Sequence, residues 1–436
     1  METTNRISGF APKQVFSGPP DPVPLGIYTI SATPPPSEAG NPAVSAVENQ
    51  KKELAFKAVR AVRAQRYALL STARKLISAA GRASGLKYGH DLHRTAKCKY
   101  VRCSSNFVGV HKDKEHGKAF FSNLLACGSV HSCPVCAAKI QERRREEIAA
   151  AISWAYVNDL QPVMVTLTFP HRSWHKLRDL LEQQATALKL LRAGQPWERF
   201  KTCIDYQGLI RSLELTHGDN GWHPHTHELW FVRSSVDAAL MLPEILKRWE
   251  SACIRAGLLD AANVHQLEAF RLHAVDVKGW CSASDYLAKQ DDSRHWGADR
   301  EIAKGSTKEG RAKGRHAFGL LADASAPTAA GRRAARLYLV CIMAMRGKRQ
   351  IIWSRGLKER VQVDDMTDEA LAAEQREEAD FLGSIVDEDW KTVRAAGAWA
   401  PLLDAAEVGG WPAVQALIDR LTLDEIARLE ALLSSA

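Results

Sequence analysis

Three histidines occupy alternate positions in the stretch GWHPHTHELWFV, residues 221–232: His223, His225 and His227. Successive side chains of a strand point to opposite faces, so these three imidazoles share one face. Two imidazoles two residues apart on a rigid strand can bind one divalent cation. Pro224 interrupts regular strand pairing, which favours His225 and His227 as ligands and leaves His223 as an accessory group. The alternative is that the histidines serve only in packing.

A carboxylate on the preceding stretch completes the predicted metal site. The sequence Asp219-Asn220-Gly221 is a strong hairpin turn signal, and a hairpin folded there brings residues near 214 opposite residues near 227. Glu214 is therefore the predicted third ligand. Two histidines and one glutamate with open coordination positions suit Mg²⁺ or Mn²⁺ in a site that handles phosphate, although Zn²⁺ or Fe²⁺ can bind the same set.

A tyrosine and a lysine lie one helical turn apart in SDYLAKQ, where Tyr286 precedes Lys289 on the same face of a predicted helix. A tyrosine oxygen can attack a phosphodiester while a cation polarises the phosphate and a lysine offsets developing charge. Taken alone, the pair is more typical of ordinary helix packing. Its position after the histidine strand is what makes it a candidate catalytic pair.

Three of the nine cysteines form a C-x5-C-x2-C pattern: Cys127, Cys133 and Cys136. The first residues, METTNRISGFAPKQ, lack the apolar core of a secretory signal, so we expect a cytoplasmic protein with reduced thiols. A C-x-x-C pair in that setting favours a structural Zn²⁺ site. We predict Cys103 as its fourth ligand, with Cys98 and His131 as substitutes. The alternative is a set of packed thiols without a metal.

Charge is distributed unevenly along the chain, whose net charge is +9. The part from Asp364 onward holds 17 acidic and 5 basic residues, which leaves 33 acidic and 54 basic residues before it. A body this basic attracts phosphate polyanions. Bases interleave with Trp353 and apolar residues in GKRQIIWSRGLKE, residues 347–359. The predicted phosphate contacts in this stretch are Lys348, Arg349, Arg355 and Lys358.

Patterning along the chain predicts an α+β protein with an antiparallel core and five successive segments. Residues 1–50 are rich in proline and small residues and predict a disordered tail. A basic helical segment (51–96), a cysteine-rich zinc subdomain with a basic helix (97–157) and a catalytic domain (158–362) follow. The acidic segment 363–436 is expected to be helical and separate. One strand is expected over 265–278. No apolar run is long enough to cross a membrane.

Three stretches, in this order and at these separations, resemble the motifs of HUH endonucleases: VTLTF (165–169), HPHTH (223–227) and YLAK (286–289). The closer resemblance is to the rolling-circle replication initiators (Rep) of small plasmids. ACGSVHSCPVCAAKI (126–140) and GKRQIIWSRGLKE are also similar to stretches of that family. The resemblance covers residues 98–360. It implies an HUH-type fold, a central antiparallel sheet flanked by helices, with a small zinc-knuckle-like subdomain before it and a helical C-terminal segment.

The resemblance also implies an activity, which is site-specific nicking of one DNA strand at a plasmid or phage origin. Tyr286 would keep the 5′ phosphate and release a 3′ hydroxyl, with Lys289 at the scissile phosphate. His225, His227 and Glu214 would hold the metal beside the strand that carries Thr166 and Thr168. The implied partners are origin DNA, single-stranded DNA, and a host helicase and polymerase.

Two positions depart from the family pattern. Thr226 stands between the paired histidines where a bulky apolar residue is typical, and Ser282 stands where some relatives carry a second nucleophile or acid. The second departure leaves the termination step open. Two other functions remain open as well: an HUH transposase with the same chemistry, and a zinc-dependent DNA-binding regulator without nicking activity.

Overall fold

The computed structural model describes residues 42–104, 106–282, 314–373 and 378–434. Tyr286, Lys289 and residues 1–41 of the predicted tail lie outside the described residues. The chain divides into two units, Met1–Glu53 and Leu54–Ala436. Helix α1 begins at Pro42 and ends at Ala83, so the predicted tail boundary at residue 50 falls inside a helix.

A five-stranded antiparallel sheet forms the centre of the second unit, with strand order β6-β3-β5-β4-β7. Its strands are β3 (Leu160–Leu167), β4 (Gly208–Gly218), β5 (Gly221–Arg233), β6 (Val275–Lys278) and β7 (Ile351–Trp353). Gly218 pairs with Gly221 across a two-residue turn, and Gly221 has a φ of +84°, which glycine adopts without strain. The predicted hairpin is confirmed.

Helices cover both faces of this sheet. On one face, Val165, Trp230 and other apolar residues pack with α3 (Leu177–Leu191), α5 (Leu242–Arg255) and α8 (Ala329–Ala344). On the other face, Met164 and Phe231 pack with α2 (Pro134–Val157). His223, His225 and His227 lie on this second face by strand alternation, beyond the residues that α2 covers.

The strand expected over 265–278 is only partly formed. The structure has helix α6 over Val264–His273 and a strand only from Val275. The side chain of Asn263 caps α6 by accepting a hydrogen bond from the Gln266 backbone N–H at 3.0 Å, and Leu267 and Phe270 follow at helical spacing. The cap and that spacing outweigh the β-like composition.

A second antiparallel sheet, of order β2-β1-β8, joins the cysteine-rich segment to the acidic C-terminal segment. β1 spans Phe107–Asp113, β2 spans Ala119–Phe121 and β8 spans Ala379–Val386. β8 pairs with β1 along its whole length, so the expectation of a separate, purely helical segment 363–436 is wrong. The reason is a buried cluster in which Val108 and Val110 of β1 pack with Ile385 and with the two helices that follow β8.

The remaining helices connect or cap these sheets. The two after β8 are α11 (Asp387–Ala396) and α12 (Trp399–Ser434), and α12 is kinked at Gly410. The shorter ones are α4 (Gly194–Cys203), α7 (Ala317–Asp323), α9 (Leu357–Val361) and α10 (Asp368–Ala373). Among the described residues, no helix is both long enough and apolar enough to cross a membrane. The architecture is therefore α+β, with antiparallel sheets flanked by helices.

Candidate functional site

Glu214, His225 and His227 converge on the β4–β5 hairpin, on the same face of the sheet as α2. Glu214 is paired directly with His225, and Ser212 is the residue opposite His227. Glu214 Oε2 lies 3.1 Å from His225 Nε2 and 3.4 Å from His227 Nε2. One donor atom from each residue falls within 4.8 Å of the others.

These separations suit a shared cation. Neighbouring ligands of an octahedral ion with bonds of about 2.1 Å stand about 3 Å apart, close to the two Glu–His distances. The carboxylate oxygen of Glu214 suits Mg²⁺ or Mn²⁺, and the two imidazole nitrogens suit Zn²⁺. The donor set therefore fits a divalent ion without fixing its identity.

The charge state of Glu214 favours the same interpretation. Burial opposes ionisation of this carboxyl group, but hydrogen bonds from His225 and His227 outweigh burial and lower the pKa of Glu214 to about 2. The side chain therefore stays a carboxylate at neutral pH, which is the form that binds a cation.

The two candidate ligand histidines, His225 and His227, are held differently at their second ring nitrogen. His227 Nδ1 lies 3.0 Å from Thr166 Oγ1 on β3, whereas the contact of His225 Nδ1 within the described residues is the His223 carbonyl oxygen at 3.4 Å. Both rings direct Nε2 toward Glu214. The site is thus built from three adjacent strands, β3, β5 and β4.

His223 lies beside the metal-ligating group but outside it. Its Nε2 is 2.6 Å from Thr168 Oγ1, and its ring stacks on His171 with centroids 4.5 Å apart. Burial and the nearby His225 lower the pKa of His223 to about 3, so the ring is neutral. His171 was not predicted from the sequence. The cluster PHRSWH after β3 is the signal that could have identified it, and it also carries Trp174, whose side chain is 74% exposed.

The residue after His227 has a structural role on the opposite face. Glu228 is fully buried. It forms ion pairs with Arg192 and, at 3.0 Å, with Arg211, and it accepts a hydrogen bond from Trp230 Nε1 at 2.7 Å. This network fixes β5 against α3 and β4, because a buried carboxylate requires such partners.

A second group of potential metal ligands consists of four buried cysteines: Cys98, Cys127, Cys133 and Cys136. The Sγ atom of Cys98 lies 3.5 Å from the Sγ atom of Cys136 and 3.6 Å from that of Cys133. The Sγ atom of Cys127 lies 3.8 Å from that of Cys136. Four thiolates around Zn²⁺ at about 2.3 Å stand about 3.8 Å apart. The cluster is compatible with a tetrahedral metal site.

Local structure explains the positions of these thiols. Cys133 caps α2, and its Sγ accepts a hydrogen bond from the Cys136 backbone N–H at 3.4 Å. Hydrogen bonds from the other three thiols lower the pKa of Cys136, while burial raises that of Cys133. A thiol that ionises more readily than its neighbours is a favourable first ligand for a metal ion, because metal binding requires the deprotonated form.

The predicted fourth cysteine ligand is corrected by this geometry. Cys103 is exposed and lies outside the cluster, and Cys98, the substitute, takes its place. Arg74 on α1 donates hydrogen bonds to the carbonyl oxygens of Ala96 and Cys98, both at 3.1 Å, which holds the loop of Cys98 near α2. His131, the other substitute, points elsewhere, with Nε2 3.2 Å from the Lys348 carbonyl oxygen.

The four predicted phosphate-binding residues line one cleft of about 810 Å³ but differ in availability. Arg349 and Arg355 are exposed and Lys348 is half-buried. Lys358 is engaged by Glu147 at 3.5 Å and Asp365 at 3.1 Å. The acidic residues of 364–369 thus neutralise one side of the cleft.

Comparison with known proteins identifies relatives over part of the chain. The family described as "Replication protein" matches residues 121–240. "Protein rep" of Streptomyces lividans is 29% identical over 161 residues, which cover 31% of this chain and 35% of the relative. "Neomycin resistance protein" of Streptomyces cyanogenus is 30% identical over 148 residues, which cover 27% of this chain and 32% of the relative.

The matched part spans about a third of the length of each of these relatives. No solved structure gives a significant match. The family match includes Cys127, Cys133 and Cys136, the strand β3, and the whole β4–β5 hairpin with its Glu214, His225 and His227. These matches support the resemblance to replication proteins that the motifs indicated: residues 121–240 are similar to the family described as "Replication protein".

Proposed function

We propose that the protein is a rolling-circle replication initiator of the HUH endonuclease type, which nicks one DNA strand at its origin in a metal-dependent reaction. The observation that carries this proposal is the convergence of Glu214, His225 and His227 on neighbouring strands, with donor atoms within 4.8 Å of one another. The match to the replication protein family supports it independently.

The nicking step would be a transesterification. The Tyr286 oxygen attacks the scissile phosphorus, the bond from phosphorus to the 3′ oxygen breaks, and the released 3′ hydroxyl takes up a proton. One phosphodiester replaces another, so the reaction needs no external energy source. A divalent ion at Glu214, His225 and His227 would polarise the phosphate. Lys289 would offset charge on the phosphate as the bond breaks.

Sheet topology supports this assignment. The histidine strand β5 lies between β3 and β4 in the five-stranded sheet, so both ligand histidines are held by hydrogen-bonded neighbours on each side. A site on central strands is more rigid than one on loops.

We further propose that Cys98, Cys127, Cys133 and Cys136 bind a structural Zn²⁺. The site would tie the loop after α1 to the start of α2, and it would stabilise the region that precedes the catalytic sheet. This proposal keeps the predicted zinc subdomain within residues 97–157 and adds β8 of the C-terminal segment to its sheet.

Origin DNA and single-stranded DNA are the proposed partners, and a host helicase and polymerase would act on the nicked product. Arg349 and Arg355 are exposed in the cationic cleft and are the residues best placed to contact phosphate. Such contacts position the protein on DNA without reading sequence, so origin recognition must use other residues as well.

Metal-ligand variants test the proposal. His225→Ala and His227→Ala should each abolish nicking of a supercoiled plasmid that carries the DNA flanking the gene, in Mn²⁺ buffer, while duplex binding persists. His265→Ala is the matched control, because this histidine is 98% exposed and lies outside the metal-ligating group.

Unchanged nicking by both ligand variants would contradict the metal-dependent mechanism. Absence of nicking by the wild-type chain, with zinc-dependent duplex binding retained, would favour the regulator instead. A transposase would cut DNA with terminal hairpins beside the gene rather than an origin.

A further inference from the structure

We infer that Thr166 is a positioning residue for the metal site, because it holds the ring of His227 with Nε2 directed toward Glu214. This inference rests on the proposed function, since it concerns the same site. It gives a role to Thr166, a residue of the VTLTF motif, that the motif alone does not indicate.

The geometry is specific to one ring nitrogen. Thr166 and His227 are directly paired in the β3–β5 register, and Thr166 Oγ1 lies 3.0 Å from His227 Nδ1. The other nitrogen, Nε2, faces Glu214 at 3.4 Å. A histidine that binds a cation through Nε2 must carry its proton on Nδ1, and this proton then needs an acceptor. The Thr166 oxygen is in position to accept it.

The two ligand histidines differ in this respect. In the part of the chain that the structure describes, His225 Nδ1 reaches the His223 carbonyl oxygen at the long distance of 3.4 Å. His227 is also the more buried of the two, with 9% of its side chain exposed against 15%. A buried ring with a strong partner loses little entropy when it binds an ion. His227 is therefore the preorganised ligand, and Thr166 is what preorganises it.

Strand geometry alone does not account for the hydroxyl group at position 166. β3 reads LQPVMVTL, and valine would satisfy the same backbone position with a similar volume. Removal of a hydrogen-bond partner behind a metal-ligating histidine typically lowers metal affinity 10- to 100-fold. The expected effect of Thr166→Val is a loss of this size in Mn²⁺ affinity.

The test measures Mn²⁺ binding by the full-length protein, from the electron paramagnetic resonance signal of free Mn²⁺, in the absence of DNA. Thr166→Val should raise the Mn²⁺ dissociation constant about 10- to 100-fold, and Thr166→Ser should restore most of the affinity. Ser212→Ala is the matched control. Ser212 also lies opposite His227 and is fully buried, and among the described residues its hydroxyl group has no hydrogen-bond partner.

Three outcomes would overturn the inference, and they have different meanings. Equal Mn²⁺ affinity of the wild type and Thr166→Val, when Glu214→Ala has lost binding, would refute the role of Thr166 and leave the proposed metal site intact. Wild-type binding that is unaffected by Glu214→Ala would remove the proposed site itself and the inference with it. A loss of affinity that Thr166→Ser does not restore would also count against the hydrogen bond. Thermal unfolding without Mn²⁺ identifies any variant that fails to fold.

Discussion

Replacing Cys98 and Cys103 by serine, one at a time, tests the zinc proposal and the correction of its fourth ligand. The Sγ atom of Cys98 lies 3.5 Å from that of Cys136 and 3.6 Å from that of Cys133. Both distances are close to the separation of about 3.8 Å in a tetrahedral zinc–thiolate site. An ion present at 1,000 times its dissociation constant stabilises the folded chain by about 4 kcal/mol. Loss of one thiolate should remove most of that stabilisation. For a chain of 436 residues, with an unfolding entropy of about 2.1 cal/mol/K per residue, this corresponds to a fall of roughly 3–5 °C in the unfolding midpoint.

The assay is zinc content by atomic absorption, together with thermal unfolding with and without a chelator. We expect Cys98→Ser to lose zinc and to become insensitive to the chelator. Cys103→Ser, at an exposed cysteine outside the cluster, should keep both zinc and stability. Zinc loss from Cys103→Ser with full retention in Cys98→Ser would refute the assignment, and a wild-type chain without zinc would refute the site.

Three further predictions concern stability and DNA binding. Glu228→Gln leaves the half-buried Arg192 and Arg211 without their counter-charge, so it should cost about 1–3 kcal/mol of unfolding free energy; a urea midpoint near the wild-type value would contradict this. Burial, with nearby arginines, lowers the pKa of His93 to about 4. The unfolded chain therefore binds a proton below about pH 6.5 that the folded chain does not. The contribution of His93 to the free energy of unfolding is therefore fully present above about pH 6.5 and is lost as the pH falls toward 4. Urea titrations at pH 7.5 and 5.5 should show that His93→Gln removes about 1.3 kcal/mol of this dependence, and an unchanged dependence would refute the assignment. Arg349→Gln should reduce the salt dependence of DNA binding by about one phosphate contact, and Lys358→Gln, already ion-paired, by less; the reverse order in a fluorescence anisotropy titration would contradict the cleft assignment.

The candidate metal site could be predicted from the sequence because its information is local. Alternation places His225 and His227 on one face whatever the rest of the fold does, and a two-residue turn at Asn220 then fixes which residues of β4 come opposite. The sequence predicts that residues near 214 lie opposite residues near 227, whereas Glu214 pairs with His225 in the structure, a register difference of two residues. The shift leaves Glu214 on the same face, because neighbouring positions of that face are two residues apart.

Two of the errors arose where the deciding contacts are far apart in the chain. Cys98 joins the cluster because α1 and Arg74 hold its loop beside α2, and no spacing rule contains that packing. β8 pairs with β1 although more than half of the chain separates them, and its acidic surroundings resemble those of a solvated helix. Composition reports the average character of a segment, whereas these elements are fixed by a few buried residues such as Ile385.

The most direct test of the central claim is to map the covalent link between protein and DNA. The full-length protein is incubated with Mn²⁺ and an origin oligonucleotide labelled at its 3′ end, then digested with trypsin and analysed by mass spectrometry. The proposal predicts a peptide that carries the DNA 5′ phosphate on Tyr286, and it predicts that Tyr286→Phe and His227→Ala form no adduct. An adduct on another residue, or equal cleavage by wild type and Tyr286→Phe, would contradict it.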